Sequence, residues 1–410
     1  MLFDIFLVLS VGAGLLMAFN LGANDVANSM ASAVGARAIT VKQAVYIAGI
    51  LNFVGAVFLG SHVTATISKG IINPAVIDDP TIVMLGMFAA LVSAGIWVLI
   101  ATLTSLPVSS THSIVGAILG FGLVAGGPGV VNWYTMIGVV LSWIISPLFG
   151  GLIAYGVFSV IRSRILAKPD LLERARRWAP RWIALTVFLL GMSFMYKTPM
   201  GKGLEMSFIV RLAIILFFCA AAWVPAQLVV NRLCARLTSD VDGVEGIFRR
   251  MQIGTSCYVA VSQGANDVAN AIGPVAAIFM IARHHELLPK AEVPLFLLII
   301  GGAGIALGIA LLGRRVIATV GERITTLTNT RGFAVDFGAA STVLAASSLG
   351  MPVSTTHAAV GSVVGVGLAR GFAAVDFRVL GKIVLYWVLT VPIAAFTSIV
   401  IFQILKWTLT

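Results

Sequence analysis

Apolar residues run through this chain in long blocks separated by short polar intervals. Blocks long enough to cross or nearly cross a bilayer lie at about 3–21, 42–60, 82–104, 109–125, 133–161, 182–196, 206–230, 251–282, 293–313, 332–349, 352–368 and 383–405. A transmembrane helix takes roughly 20 mostly apolar residues. Backbone in lipid must satisfy its own hydrogen bonds, so the continuous blocks predict helices. A β-barrel would show short alternating segments instead, and the blocks do not alternate. The pattern predicts an all-α polytopic membrane protein of about twelve transmembrane helices. Several blocks are short or interrupted by Gly and Pro, which predicts broken helices and re-entrant-like half-helices.

Composition narrows the class. Of 410 residues, 59% are hydrophobic and 10% charged, against about 25% charged in a soluble domain. That excludes a water-soluble enzyme and a disordered chain. The net charge of +11 points to nucleic acid only in a soluble protein. Here the basic residues fall in the intervals, where they set orientation, and no nucleic-acid partner is expected. Arg162, Arg164, Lys168, Arg174, Arg176, Arg177 and Arg181 crowd residues 162–181 against Asp170 and Glu173. Arg232, Arg236, Arg249 and Arg250 form a second cluster, and Arg314, Arg315, Arg323 and Arg331 a third. With all three in the cytoplasm the twelve blocks alternate consistently. Both termini then lie on the outer face of the cell membrane, as does the loop with Asp78 and Asp79. Residues 2–19 have no basic segment before them and run into a polar motif, so they are read as a first span, not a cleaved leader. Cys219, Cys234 and Cys257 form no C-x-x-C pair and read as small apolar residues.

The two halves repeat each other. Gly22-Ala23-Asn24-Asp25-Val26-Ala27-Asn28 recurs residue for residue as Gly264-Ala265-Asn266-Asp267-Val268-Ala269-Asn270. Pro107-Val108-Ser109-Ser110-Thr111-His112 recurs as Pro352-Val353-Ser354-Thr355-Thr356-His357. Val63, Ala65, Thr66 and Ile71 echo Val316, Ala318, Thr319 and Ile324 more weakly. The predicted division is a first transmembrane repeat at 1–161, a basic cytoplasmic loop at 162–181, connecting spans with a second loop at 182–250, and a second repeat at 251–410. An odd number of crossings separates the matched points, so the repeats are inverted. Secondary transporters place substrate and coupling ions at such a repeat interface.

A carboxylate within an apolar span costs about 2.5–3.5 kcal/mol or more. Asp25 and Asp267 therefore need a partner, a water-filled cavity or a proton. Each has an asparagine beside it (Asn24, Asn266) and another three residues on (Asn28, Asn270). The preceding glycine permits the backbone to unwind and free its carbonyls. Carboxylate, amide and carbonyl oxygens suit hard cations, so each copy reads as a sodium site or a proton-accepting carboxylate. Helix capping by Asp explains one such motif as readily, but it does not explain two matched copies.

Pro107 and Pro352 predict helix starts just after them. Ser109 and Ser354 become cap or first-turn residues, and free N–H groups there favour anions. Hydroxyls of Ser110, Thr111, Thr355 and Thr356 add donors. Two such starts aimed at each other could hold a small tetrahedral oxyanion without Arg or Lys. Cations at the aspartates would offset its desolvation and link the two binding events. His112 and His357 are read as helix-face histidines with satisfied hydrogen bonds. His284, His285 and Glu286 read as a solvated loop.

On these duplicated motifs the sequence resembles the inorganic phosphate transporter (PiT) family of sodium- or proton-coupled phosphate symporters, over essentially the whole chain. The resemblance implies phosphate contacts from Ser109, Ser110, Thr111, Ser354, Thr355 and Thr356. It implies sodium near Asn24, Asp25, Asn28, Asn266, Asp267 and Asn270. Its implied partners are phosphate, sodium or proton, membrane lipid and a possible homodimer, with sodium as co-transported ligand and no further cofactor. Many members carry a glutamate on the second span of each half. This chain has Asn52 there in the first half and no acidic residue within 293–313, and Asp336 has no acidic mate. The alternatives are a sulfate permease of the same fold and an anion channel. An intramembrane hydrolase is disfavoured, since no G-x-S-x-G elbow is present. Phosphate keeps a proton at neutral pH and can donate it to a nearby carboxylate, which sulfate cannot do.

Overall fold

The computed structural model describes residues 2–60, 71–73, 76–77, 79–197, 201, 203–204, 206–284, 293–348 and 353–409. Pro352, Asp78, His285, Glu286 and the echo residues Val63, Ala65 and Thr66 lie outside them. The described residues form helices, with one isolated β-bridge between Ile72 and Val131. Twelve helices are of 16 residues or more: α1 Leu2–Gly35, α2 Val41–Leu59, α3 Pro80–Leu103, α4 Ser110–Gly126, α5 Trp133–Ile161, α6 Leu171–Lys197, α7 Phe208–Cys234, α8 Val241–His284, α9 Leu295–Leu312, α10 Asn329–Ser348, α11 Thr355–Arg370 and α12 Phe377–Leu409. Each falls on one apolar block of the sequence. Among the described residues, nine helices are long and apolar enough to cross a membrane. The three that do not qualify are α4, α10 and α11.

Two differences from the sequence expectation concern the basic intervals. Residues 162–181 are not simply a loop. A π-helical turn, Arg162–Leu166, leads to α6, which begins at Leu171. Acidic residues near the helix start pair with the arginines one turn on: Asp170 with Arg174 at 3.0 Å, and Glu173 with Arg177 at 3.0 Å. Likewise α8 starts at Val241, ten residues before the apolar block. Its polar first turns are held by tertiary bonds, since Glu245 accepts from the Thr330 amide at 2.8 Å and hydroxyl at 2.7 Å.

The packing is closed under exchange of the two halves. α1 packs on α9 as α8 packs on α2, and α1 on α3 as α8 on α10. α3 pairs with α4 as α10 pairs with α11. Each hairpin then leans on the far end of the other half: α4 on α12, and α11 on α5. Along these contacts Phe121 meets Phe402, while Gly361 and Gly365 meet Pro147 and Gly151. Thus α4 runs parallel to α12 and α11 parallel to α5. α6 and α7 pack on each other outside this scheme, and Phe217, Phe218 and Val224 of α7 are exposed.

α1 and α8 run unbroken through the repeated motif. The unwinding expected at Gly22 and Gly264 does not occur. These glycines serve close approach instead: a Cβ on Gly22 would strike the Ile305 carbonyl, and one on Gly264 the Asn52 carbonyl. The chain is non-helical at residues 104–109 in the first half and, among the described residues of the second, at 353–354 just before α11.

Candidate functional site

The two hairpin tips meet against the middles of α1 and α8. Ser109 caps α4, accepting from the His112 amide at 3.2 Å, and Ser354 caps α11, accepting from the His357 amide at 3.2 Å. Both serines are cap residues, as the Pro-Val-Ser pattern predicts. Each cap leaves the first amides of its helix directed out of the helix end. The Thr356 hydroxyl donates to the main-chain carbonyl of Val108 at 3.2 Å, so the tip of the second hairpin touches the tip of the first. α4 and α11 are 17 and 16 residues long, roughly 25 Å each. Joined tip to tip and running in opposite directions, they reach about the full thickness of a bilayer with its headgroups.

The repeated motifs face these tips. Ser110 donates to Asp25 Oδ2 at 2.6 Å, and Thr356 lies 3.5 Å from Asp25 Oδ1. Asn28 donates to Thr355 at 3.2 Å and to Thr356 at 3.0 Å. Its mate Asn270 donates to Thr111 at 3.3 Å. Each half therefore sends an asparagine across to the other half's hairpin. Asn266 donates to Asp267 Oδ1 at 3.1 Å. Asn24, Asp25, Asn28, Asp267, Asn270, Ser109, Ser110, Thr111, Ser354 and Thr356 are buried, while Asn266 and Thr355 are half-buried. All twelve predicted positions thus converge on one region that no single half supplies.

Asn24 is engaged differently from its mate. Its amide donates to Thr102 Oγ1 and to the Leu106 carbonyl, both at 3.1 Å. Its carbonyl accepts from the Val108 amide at 3.0 Å. It clasps the first hairpin tip, where Ser105 adopts a left-handed φ of 60°. The Thr319 hydroxyl holds the same turn by donating to the Ser105 carbonyl at 2.6 Å.

Sequence reasoning missed the aromatic backing of the tips. The His112 ring lies 3.7 Å from Trp143 and 4.5 Å from His357, which lies 3.8 Å from Trp387, centroid to centroid. His357 Nδ1 is 2.9 Å from the Trp143 carbonyl, and the Trp387 indole donates to the Pro107 carbonyl at 3.3 Å. Four rings, two from each half, form one chain of ring contacts across the junction, edge-to-face where His112 meets His357 and stacked where His357 meets Trp387. The satisfied hydrogen bonds expected of both histidines are found only at His357 Nδ1, since both ring nitrogens of His112 are buried against aromatic rings without a hydrogen-bond partner. The signal was available: Trp143 and Trp387 stand at nearly the same offset as the two motifs.

A buried carboxylate outside the motifs also went without a role. Asp336 accepts from Ser32 and Ser256, each at 2.5 Å, and from Thr255 at 3.2 Å. Among the described residues no group of three or more His, Cys, Asp or Glu is placed to hold a metal ion. The aspartates of the centre instead stand among hydroxyl and amide oxygens, a set suited to hard monovalent cations.

An inverted pair of helical repeats, with re-entrant tips meeting over buried carboxylates, is the architecture of a secondary transporter. Comparison with known proteins sharpens this. A family model described as the phosphate transporter family matches residues 21–398. A protein of Pyrococcus abyssi, provisionally named a phosphate permease, is 50% identical over 409 residues, covering 98% of both chains. The chloroplastic inorganic phosphate transporter 2-1 of Arabidopsis thaliana is 38% identical over 421 residues, 94% of this chain and 70% of its own. A solved structure described as the sodium-dependent phosphate transporter superposes with a TM-score of 0.91 at 46% identity, covering 99% of this chain and 100% of its own. The chain belongs to the phosphate transporter family. It is a multi-pass membrane protein that transports phosphate, not an enzyme.

Proposed function

We propose that this protein is a symporter that imports inorganic phosphate with sodium by alternating access. Phosphate sits between the two hairpin tips, held by the first amides of α4 and α11 and by Ser110, Thr111, Thr355 and Thr356, with Ser109 and Ser354 fixing the helix starts. Sodium sits at Asp25 and at Asp267, with Asn28, Asn266 and Asn270 beside them, while Asn24 holds the adjoining tip. The observation that carries this reading is the crossed contact of Asn28 with Thr356 and of Asn270 with Thr111. Cation-bearing and anion-bearing motifs touch across the repeat interface, so each bound ion lowers the cost of burying the other. Similarity to the sodium-dependent phosphate transporter favours sodium over the proton. The three basic clusters support an orientation with the open ends of α10 and α11 on the cytoplasmic face and both termini outside. Lipid covers the exposed apolar faces, and the chain pairs as a homodimer.

Purified protein in proteoliposomes tests this. Labelled phosphate is expected to accumulate against its gradient under an imposed sodium gradient, and not under a proton gradient alone. Asp25→Asn and Asp267→Asn are each expected to abolish that accumulation with folding intact. Dissipation without accumulation would make it a channel, and strong competition by sulfate would make it a sulfate permease.

A further inference from the structure

The two halves differ where their motifs meet. The residue before Gly264 is Gln263, only 3% exposed, whereas its mate before Gly22 is the fully buried Leu21. The Gln263 amide donates to the main-chain carbonyl of Asp25 at 2.5 Å. Asp267 follows one turn along α8. Gln263 thus ties α8 to the backbone of the first motif, from a position that the repeat fills with leucine in the other half.

Its remaining oxygen has no donor. Gln263 Oε1, Asp267 Oδ2 and Asn28 Oδ1 are all buried without a hydrogen-bond partner. The three residues are at most 7% exposed. Gln263 and Asn28 line one narrow cavity with Thr355 and Ser262. Buried acceptors without donors are costly, and a desolvated cation in this cavity would relieve Gln263 and Asn28, with Asp267 one turn along α8 from Gln263. Asp25 differs, because Ser110 donates to its Oδ2 at 2.6 Å. A single carboxylate with two neutral amide oxygens balances one positive charge. Divalent calcium takes more oxygen ligands and more charge.

We propose that Gln263 is a cation ligand peculiar to the second half. With Asp267 and Asn28 it makes a monovalent-ion site stronger than the one at Asp25, and this site fills first, before phosphate. The proposal rests on the symport reading above and deepens it. Because Gln263 also grips the Asp25 backbone, an ion bound at the second motif stiffens the first, which orders the two binding events.

The test combines two measurements. Sodium chloride is titrated into purified protein without phosphate while thermal unfolding is followed, with potassium chloride as control. Sodium activation of labelled phosphate uptake is measured in proteoliposomes. Gln263→Leu, which installs the mate's residue, is expected to raise the sodium concentration needed in both assays by about tenfold or more, the loss of one ligand to a charged group. Phosphate affinity at saturating sodium is expected to stay unchanged. Gln263→Glu keeps the volume and adds a carboxylate, so it is expected to lower the sodium requirement and to let calcium raise the unfolding temperature. This second variant keeps the question open to test if the leucine variant fails to fold. Unchanged sodium dependence in Gln263→Leu, or no calcium response in Gln263→Glu, overturns the assignment. A wild-type protein without sodium response in either assay overturns the symport reading itself.

Discussion

Asn24 offers the sharpest separation of a structural role from an ion-binding one. The sequence places it among sodium ligands, yet its side chain makes three buried bonds to the first hairpin tip. In Asn24→Ala the Thr102 hydroxyl still has a partner, because it donates to the Val98 carbonyl at 2.8 Å. The Leu106 carbonyl and the Val108 amide do not recover one. Two orphaned main-chain groups at about 1–3 kcal/mol each give a loss of roughly 2–6 kcal/mol. Asn24→Asp makes the contrast stronger. A sodium ligand gains from the added negative charge. A clasp loses, since a carboxylate oxygen then faces the Leu106 carbonyl where an amide donor stood. Asn266, half-buried and bonded to Asp267 alone, predicts a much smaller stability loss on substitution by Ala. Thermal unfolding in detergent, with and without sodium, reads all three. Wild-type unfolding temperatures for Asn24→Ala together with a raised sodium requirement would refute the clasp.

Thr111→Val and Thr356→Val each remove a hydroxyl from the proposed anion site. Phosphate KM is expected to rise roughly ten- to hundredfold, from about 1.5–3 kcal/mol per charged bond, as read from uptake kinetics at saturating sodium. Gly264→Val drives a side chain into the Asn52 carbonyl and is expected to cost about 1–3 kcal/mol or more. Gly254→Ala, on the same helix with open space around it, is expected to be neutral in the same unfolding assay. Asp336→Leu removes a buried carboxylate and leaves hydroxyls that can bond back to their own helices. Its stability is expected to change by about 1 kcal/mol at most, whereas Ser256→Ala, which leaves the carboxylate short of a donor, is expected to cost about 1–3 kcal/mol.

The helices were legible because lipid imposes one constraint everywhere: twelve apolar blocks became twelve helices, and the motif offsets reported the inverted pairing before any contact was seen. Helix breaks were harder to place. Glycine beside Asn-Asp permits either unwinding or close packing, and only the approach of the Ile305 and Asn52 backbones decides for packing at Gly22 and Gly264. Proline alone does not mark a break, since Pro147, Pro180, Pro225, Pro274 and Pro392 lie inside helices; it was the capping serine two residues on that placed the starts of α4 and α11. That the two duplicated motifs come together was readable from the sequence. The partner of each side chain was not, because Asn24 and Asn266 are identical in local sequence and differ in what the tertiary fold brings to them.

That difference is part of a wider one. An inverted repeat of identical halves would give outward- and inward-open states that mirror each other and match in energy. Here buried polar groups stand on one side of the pseudo-two-fold with apolar mates on the other. Gln263 answers to Leu21, and Asp336, by the spacing of the Pro-Val-Ser motifs, to Leu91. Asn52 answers to Ile305, since each backbone receives the other half's motif glycine. Asp336 ties α10 to α1 and α8 through three hydroxyls, and Leu91 can make no equivalent tie in α3. A motion that strains these ties in one direction has no mirror-image cost in the other. About 1.4 kcal/mol of such imbalance is a tenfold shift in population. On the proposed alternating-access reading, duplication supplies the two half-sites, and the few unmatched polar residues are expected to bias which way the resting protein faces.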